Sequence, residues 1–584
     1  MQAKLLGVGH LLLRSGRRAL ATTVFRSHLP DVQYPTEISY PAYLLEACDR
    51  FADRTAVVCA ASGRRISYAD LRAATVAASS GLAKLRFARG DTMCIFSGNF
   101  PDYPAAMLAI MRCGGVLTTA SPDFTASELA RQLRDCRTKF LLTTKEKLPV
   151  AAEAAKASGV VKEVFLTEDA EPGTRRFADL FEDDGSCDPS GSFQVDQAND
   201  VAAILYSSGT TGLPKGVMLT HRNLVANIEQ TLETMGDLPD ERLIGVLPFY
   251  HVYGQVVVLG FNFRRGYQLS VMSRFEPVRF LETLQNHRIT LAHIVPPILL
   301  FLAGHPLVDK FDLCEDWARR IFRADLLGKK NEARWKNAVV CSHHFPDSMY
   351  VCPDQRHEPG VRLMPTAYPM LQLYKEIAEP YRRSRPRAKR GSAGMLVPSV
   401  EMRVADTQTG ADLGPNQSGQ LFVRGVNLMR GYFENPQATR ESIDADGWFA
   451  TGDVGHIDED GYLFISDRLK ELIKVKGLQV APAELEALLL ECPDVTDAGV
   501  VARPDERAGE LPVAFVVRRE GSLASEADIQ RWVAERVAPH KRLEGGVRFI
   551  DAVPKAASGK ILRKRLRDVL AEEAAATAAA GEQN

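Results

Sequence analysis

The chain has almost no net charge. Its 72 lysines and arginines nearly cancel 73 acidic residues, leaving −1. No global field therefore draws it to nucleic acid or to a membrane surface. It also has no apolar run long enough to span a bilayer, because the longest candidate, "ITLAHIVPPILLFLAG", is interrupted by histidine and proline. Its ten cysteines are scattered, with no spacing that suits a disulfide framework, and they read as thiols of a reducing compartment. Cys341, His343, His344 and Cys352 lie close in sequence, but their spacing does not suit a metal site. Internal repeats are absent too. What is present is an ordinary globular composition, 45% hydrophobic and 25% charged, over 584 residues. That length exceeds one core and implies about two to four domains.

The first thirty residues differ from the rest. "MQAKLLGVGHLLLRSGRRALATTVFRSHLP" carries Lys4, Arg14, Arg17, Arg18 and Arg26, and its first acid comes only at Asp31. Arg14, Arg17 and Arg18 share one helical face. Residues 1–30 are therefore expected to be a mitochondrial presequence. A secretory leader built on Leu5–Leu13 and a plain cytosolic start are the alternatives. The closing "GEQN" carries no Ser-Lys-Leu peroxisomal address.

From about Glu37 helical and strand-like segments alternate. "SYADLRAATVAASSGLAKL" and "SELARQLRDC" have helical spacing, whereas "DTMCIFSGN" and "KFLLTT" are short apolar strands. Alternation of this kind predicts α/β layers with parallel strands. After Gly419 the character shifts. "GQLFVRG" and "GYLFISD" are strand-like, and Asp460-Gly461 offers a hairpin turn. "APAELEALLLECPDV" predicts a helix with Pro482 in its first turn. "AGVVARP", "LPVAFVVRR" and "ASEADIQRWVAERV" follow as β-β-α. A domain boundary is expected near Asp467, which divides the chain into 31–466 and 467–570. An Ala- and Glu-rich helical tail, 571–584, follows.

The stretch "ILYSSGTTGLPKGVMLTH" (204–221) joins an apolar run to hydroxyls, glycines and one lysine. Glycines permit the tight curvature that turns backbone N–H groups inward. Hydroxyls add donors, and a lysine supplies a point charge for phosphate. Gly216 rather than Ser or Thr follows Lys215, so this is not a Walker A loop. On the residues alone, a structural surface loop fits equally well.

"YSSGTTGLPKGVMLTHRNL" resembles the phosphate-loop signature of the acyl-adenylate-forming superfamily, closest to 4-coumarate–CoA ligase-like acyl-CoA synthetases. The likeness extends from "FRSHLPDV" near Phe25 to Leu566. It implies a large N-terminal multi-layer α/β domain and a small mobile α+β C-terminal domain. It also implies ATP, Mg²⁺ and coenzyme A as cofactors and a small-molecule carboxylic acid as substrate, and it leaves the oligomeric state open. Ser207, Ser208, Gly209, Thr210, Thr211, Gly212 and Lys215 would hold phosphates, with Thr211 also orienting Mg²⁺. "LPFYHVYG" (247–254) resembles the acyl-pocket motif, where His251 would gate the carboxylate and Tyr253 line the pocket. Without the resemblance, His251 reads as a core histidine at a helix start. Arg274, in "VMSRFEP", stands where these ligases often use a lysine on a CoA phosphate.

"GWFATGDVGHIDEDGYLFISDRLKELIKVKG" (447–477) resembles a second signature. By that likeness Asp453 would accept both ribose hydroxyls and Arg468 would reach the nucleotide. Lys470 would mark the hinge, and Lys474, Lys476 and Gly477 would approach the pantetheine tunnel. "PKAASGKILRKRLR" (554–567) resembles a third signature, in which Lys560 would bridge the acyl carboxylate and the α-phosphate. One expected motif, Gly-Tyr-Gly-Met-Thr-Glu, is missing. The best alignment lays "AYPMLQ" (367–372) on it, with Tyr368 at the adenine position and Gln372 in place of the magnesium-holding glutamate. Mg²⁺ prefers charged oxygens, which glutamine lacks. The poorly matched segment 330–390 fits three accounts: a misread stretch, a genuine insertion, or a relative that has lost adenylation. The resemblance implies an AMP-forming acid–CoA ligase. The alternatives are a non-catalytic acyl or nucleotide binder and a luciferase-like adenylating enzyme.

Overall fold

The structure is a computed structural model. It describes residues 23–207, 214–235, 240–295, 298, 301–302, 307–308, 389, 392–469, 471–476, 478–505, 507–555 and 561–581. For 467, 468, 478, 479 and 574–581 it describes the backbone only. Among the described residues three sheets precede Lys470 and a fourth follows it.

The largest sheet has a parallel centre. Thr92–Phe96 lies between Val116–Ala120 and Thr138–Thr143, all three parallel. Their residues are nearly all buried, as strands covered on both faces must be. Helices Tyr68–Lys84, Tyr103–Arg112 and Ala126–Asp135 connect and cover this layer. Tyr68–Lys84 begins with a reciprocal cap, in which Ser67 Oγ accepts from the Asp70 amide and Asp70 returns the bond to the Ser67 amide. Thr125 and Glu128 start Ala126–Asp135 in the same way. The parallel α/β expectation holds here. At one side the pattern changes, because Lys215–Thr220 runs antiparallel to Val201–Ser207 and Gly431–Tyr432 caps the edge, also antiparallel.

A second sheet packs Arg242–Gly245, Gln268–Val271 and Thr55–Cys59 in parallel. One apolar core joins helix Tyr40–Arg50, the large parallel sheet and the segment Gly254–Phe261. A third sheet is antiparallel and contains Val400–Ala405, Gly419–Gly425, Phe449–Ile457 and Tyr462–Arg468. The hairpin expected at Asp460-Gly461 is there, with Gly461 at φ +86° and its amide on the Asp458 carbonyl.

Phe25–Arg26 pairs antiparallel with Glu401 and Met402 of that third sheet. Arg26 meets Glu401 at 2.9 Å, Ser27 Oγ donates to the Leu396 carbonyl, and the Val32 amide donates to Ser399 Oγ. These contacts join residues 25–32, which overlap the end of the expected presequence 1–30, to the third sheet. Residues 1–22 lie outside the described residues.

The last sheet pairs Val495–Asp505 with Gly509–Arg518, which also carries Gly546–Phe549. Helix Pro482–Glu491 has Pro482 in its first turn, as expected. Helix Glu526–Ala534 is capped reciprocally by Ser525 and Asp528. Asp467 lies within strand Tyr462–Arg468, and the next strand is Ile473–Val475. The Ala- and Glu-rich tail falls in helix Arg563–Gly581. Segment 330–390 lies outside the described residues except at Lys389.

Candidate functional site

The hydroxyl–glycine loop is closed by strand pairing. Ser207 ends one strand and Lys215 begins the next, and the two are direct partners in the antiparallel ladder. Residues 208–213, with Ser208, Gly209, Thr210, Thr211 and Gly212, lie outside the described residues. Their anchors are nevertheless held at one place. Lys215 has no ion-pair partner among the described residues, and its ammonium lies 5.2 Å from the centre of the Tyr432 ring.

The segment bearing His251 follows strand Arg242–Gly245. Asn99 holds it from beneath. Its Nδ2 donates to the carbonyls of Gly245 and Leu247, and its Oδ1 accepts from the Phe249 amide. Thr119 Oγ1 donates to the Tyr250 carbonyl at 2.6 Å and accepts from Gln255. The chain then turns so tightly that a Cβ on Gly254 would run into the Pro248 carbonyl. Gly254–Phe261 continues as a π-helix, a form that recurs at functional sites.

His251 is exposed at this turn rather than in the core, so its reading as a core histidine fails. Its Nδ1 accepts from the Tyr253 amide at 3.2 Å, and desolvation of the ring lowers its pKa. Tyr253 reaches His293, with its hydroxyl 3.2 Å from Nδ1 and the rings edge to face at 5.8 Å. Burial pushes the His293 pKa down to about 4, so the ring is neutral. Its buried Nε2 has no hydrogen-bond partner among the described residues. Sequence reasoning missed His293, although the histidine that breaks "ITLAHIVPP" was its one visible trace.

Arg274 lines a cavity of about 1330 Å³ between the ends of the first two sheets. The cavity also touches Pro248 and Tyr250, so Arg274 and the His251 segment border one space. Arg279 lines it too, paired to Glu276 at 3.0 Å.

Asp453 lies on strand Phe449–Ile457 opposite Arg468. Gly452 before it has φ +75°, and the Asp453 amide donates to Thr451 Oγ1. Lys474 is exposed on Ile473–Val475, its amide held by Glu510. Lys476 follows at φ +50° and is also exposed. The Arg468 side chain, Lys470, Gly477, Tyr368, Gln372 and Lys560 lie outside the described residues. The flanks of 556–560 are nonetheless joined, since Lys555 bridges Ile561 and the Leu562 amide donates to the Pro554 carbonyl. Lys555 is itself fixed to Asp497 at 2.6 Å. Among the described residues no group of three His, Cys, Asp or Glu could hold a metal ion.

The profile of the "AMP-binding enzyme" family matches residues 44–341 and 370–433, and that of the "AMP-binding enzyme C-terminal domain" matches 484–560. The chain belongs to the AMP-binding enzyme family. 4-Coumarate–CoA ligase 1 of Petroselinum crispum is 38% identical over 93% of this chain and 96% of its own length. A 4-coumarate–CoA ligase of Humulus lupulus, CCL1, is 38% identical over 94% and 97%. The crystal structure of ATP-bound MatB from Rhodopseudomonas palustris superposes with a TM-score of 0.71 at 26% identity, over 91% of this chain and 99% of that one. These matches set the chain among the ATP-dependent acid–CoA ligases of the AMP-binding enzymes, with the large N-terminal and small C-terminal domains of that fold. Residues 342–369 fall between the matched parts of the AMP-binding enzyme profile.

Proposed function

We propose that this AMP-binding enzyme joins an aromatic propenoic acid to coenzyme A through an acyl-adenylate, in the manner of the 4-coumarate–CoA ligases it matches. The observation that carries the nucleotide half is the pairing of Ser207 with Lys215, which brings together the two ends of the hydroxyl–glycine stretch at a lysine with no carboxylate partner among the described residues. Such a loop suits the β- and γ-phosphates, where charge develops as pyrophosphate leaves. Asp453 suits the ribose diol, since a carboxylate accepts two hydrogen bonds. Lys560 would lie against both the acid and the α-phosphate, which offsets their repulsion while the carboxylate attacks phosphorus. Arg468 would contact the nucleotide.

In the second half the small domain turns about Lys470, carrying Lys560 away and bringing Lys474, Lys476 and Gly477 to the pantetheine arm. The CoA thiol attacks the acyl carbonyl and AMP leaves. Arg274 on the large cavity suits a CoA phosphate. The Tyr253–His293 pair beside His251 offers ring surface to a planar acid. Mg²⁺ would accompany the phosphates and neutralise their charge; Thr211 would help hold it, while Gln372, at the glutamate position, would offer it only a neutral oxygen. The arginine-bearing, acid-poor first residues support a mitochondrial address.

The test is acid-dependent ATP–pyrophosphate exchange by the purified full chain, with 4-coumarate and a series of fatty acids. Exchange with 4-coumarate supports the proposal, and exchange with fatty acids alone replaces the substrate class. ATP binding without exchange for any acid gives the non-catalytic binder, the reading that the unmatched stretch 342–369 and Gln372 favour.

A further inference from the structure

We propose that Tyr432 is a positioning residue for Lys215, holding its ammonium against a ring face, with no ion-pair partner among the described residues, so that a polyphosphate meets a full positive charge. The inference rests on the nucleotide reading above and adds a residue outside every signature stretch.

Strand Gly431–Tyr432 pairs antiparallel with Lys215–Thr220, with Tyr432 opposite Val217 and Gly431 opposite Met218. The pairing is extended at both ends, where the Phe433 amide donates to the Gly216 carbonyl at 2.8 Å and the Arg430 amide to the Met218 carbonyl at 3.0 Å. Side chains alternate along a strand, so Lys215 and Val217 share a face. Tyr432 is therefore the diagonal neighbour of Lys215, a separation that aromatic and long side chains bridge. The ammonium-to-ring distance of 5.2 Å is within cation–π range.

The nearby acid is engaged elsewhere. Glu434, two residues past Tyr432, has its carboxylate 2.6 Å from Arg137. The difference matters chemically. A carboxylate on Lys215 would cancel its charge and would have to be displaced by phosphate. A ring face holds the cation through its quadrupole and leaves the charge intact.

Tyr432 is itself anchored. Its amide donates to Thr439 Oγ1 at 2.9 Å, and that hydroxyl donates to the Asn435 carbonyl at 2.9 Å. Gly431, at φ +148°, leaves room for Thr439, whose methyl a Cβ there would strike.

The experiment titrates magnesium-ATP in calorimetry and in ATP–pyrophosphate exchange on the full chain. It compares wild type, Tyr432→Phe, Tyr432→Leu, Lys215→Ala and the Lys215→Ala/Tyr432→Leu double variant. Tyr432→Leu raises the ATP Kd and KM about two- to fivefold. The acid KM and CoA transfer from a supplied acyl-adenylate stay put. Tyr432→Phe keeps the ring and restores ATP binding. In the Lys215→Ala background Tyr432→Leu adds nothing, because the pair acts as a unit. Arg137→Ala frees Glu434 to take Lys215 and weakens ATP binding, and adding Glu434→Gln restores it. A Tyr432→Leu effect that persists without Lys215, or a Phe variant as weak as Leu, overturns the proposal. Wild-type ATP binding with every Tyr432 variant indifferent also overturns it. If the wild type binds no ATP, the nucleotide reading fails and takes this inference with it.

Discussion

Asn99 and Phe249 are 150 residues apart in sequence, yet Asn99 Oδ1 accepts from the Phe249 amide at 2.8 Å in the buried interior. The same side chain donates to Gly245 and Leu247. One amide thus satisfies three backbone groups of the segment that presents His251. Asn99→Ala removes this partner from the Phe249 amide and the Leu247 carbonyl, while the Gly245 carbonyl keeps the Met272 amide, and costs about 2–3 kcal/mol of stability, read by chemical denaturation. The acid KM in pyrophosphate exchange rises more than the ATP KM. Asn99→Asp is worse, since a carboxylate would face two carbonyl oxygens. Equal rises in both KM values with unaltered stability would count against this role.

Gly254 sits where no side chain fits. Gly254→Ala drives its Cβ into the Pro248 carbonyl, and backbone cannot yield as a side-chain tip can. The expected cost is about 1–3 kcal/mol, with His251 displaced and acid-dependent exchange lost while ATP still binds by calorimetry. Gly191→Ala serves as the control, because nothing lies within 4 Å of its Cβ position. A Gly254→Ala protein as active as that control would refute the close approach.

Arg563 ties the final helix to the small domain. It meets Glu486 at 2.7 Å in a largely buried pair, and Glu486 also accepts the Val500 amide. Arg563→Met removes the cation from that largely buried carboxylate and destabilises by about 3 kcal/mol. Lys560 is three residues upstream, so adenylation falls further than thioester formation from supplied acyl-adenylate. Parallel losses in the two half-reactions would show that Arg563 only stabilises the domain.

His221 is buried, and its Nδ1 accepts the Tyr40 amide at 3.1 Å. Burial lowers its pKa to about 4, against about 6.5 when unfolded. Between those values the unfolded chain takes a proton that the folded chain refuses, so its contribution is lost as pH falls from about 6.5 to about 4, at most about 3 kcal/mol. His221→Asn keeps an acceptor for Tyr40 and flattens the melting-temperature slope in that window. An unaltered slope would exclude His221 as the source.

Local pattern made much of this protein readable. The Ser67/Asp70 and Ser525/Asp528 helix starts, the Asp460-Gly461 hairpin and the parallel strands of the first sheet follow from capping chemistry, turn preference and unbroken apolar runs. The family's signature stretches were legible where consecutive residues carry the pattern, as at 207–216 and 447–477. It was not legible where partners are distant. Nothing near Phe25 announces that it pairs with Met402, and nothing at Asn99 points to Phe249.

The amino-acid order alone therefore determined the α/β class and the signature stretches of an AMP-binding enzyme, because those rest on spacing within a few residues. Only tertiary structure decided that Tyr432 lies over Lys215, that Arg137 occupies Glu434, and that His293 stands at Tyr253. Each depends on strand register or loop closure between segments far apart in the chain. Register is set by packing many side chains at once, and no single stretch of sequence carries that information.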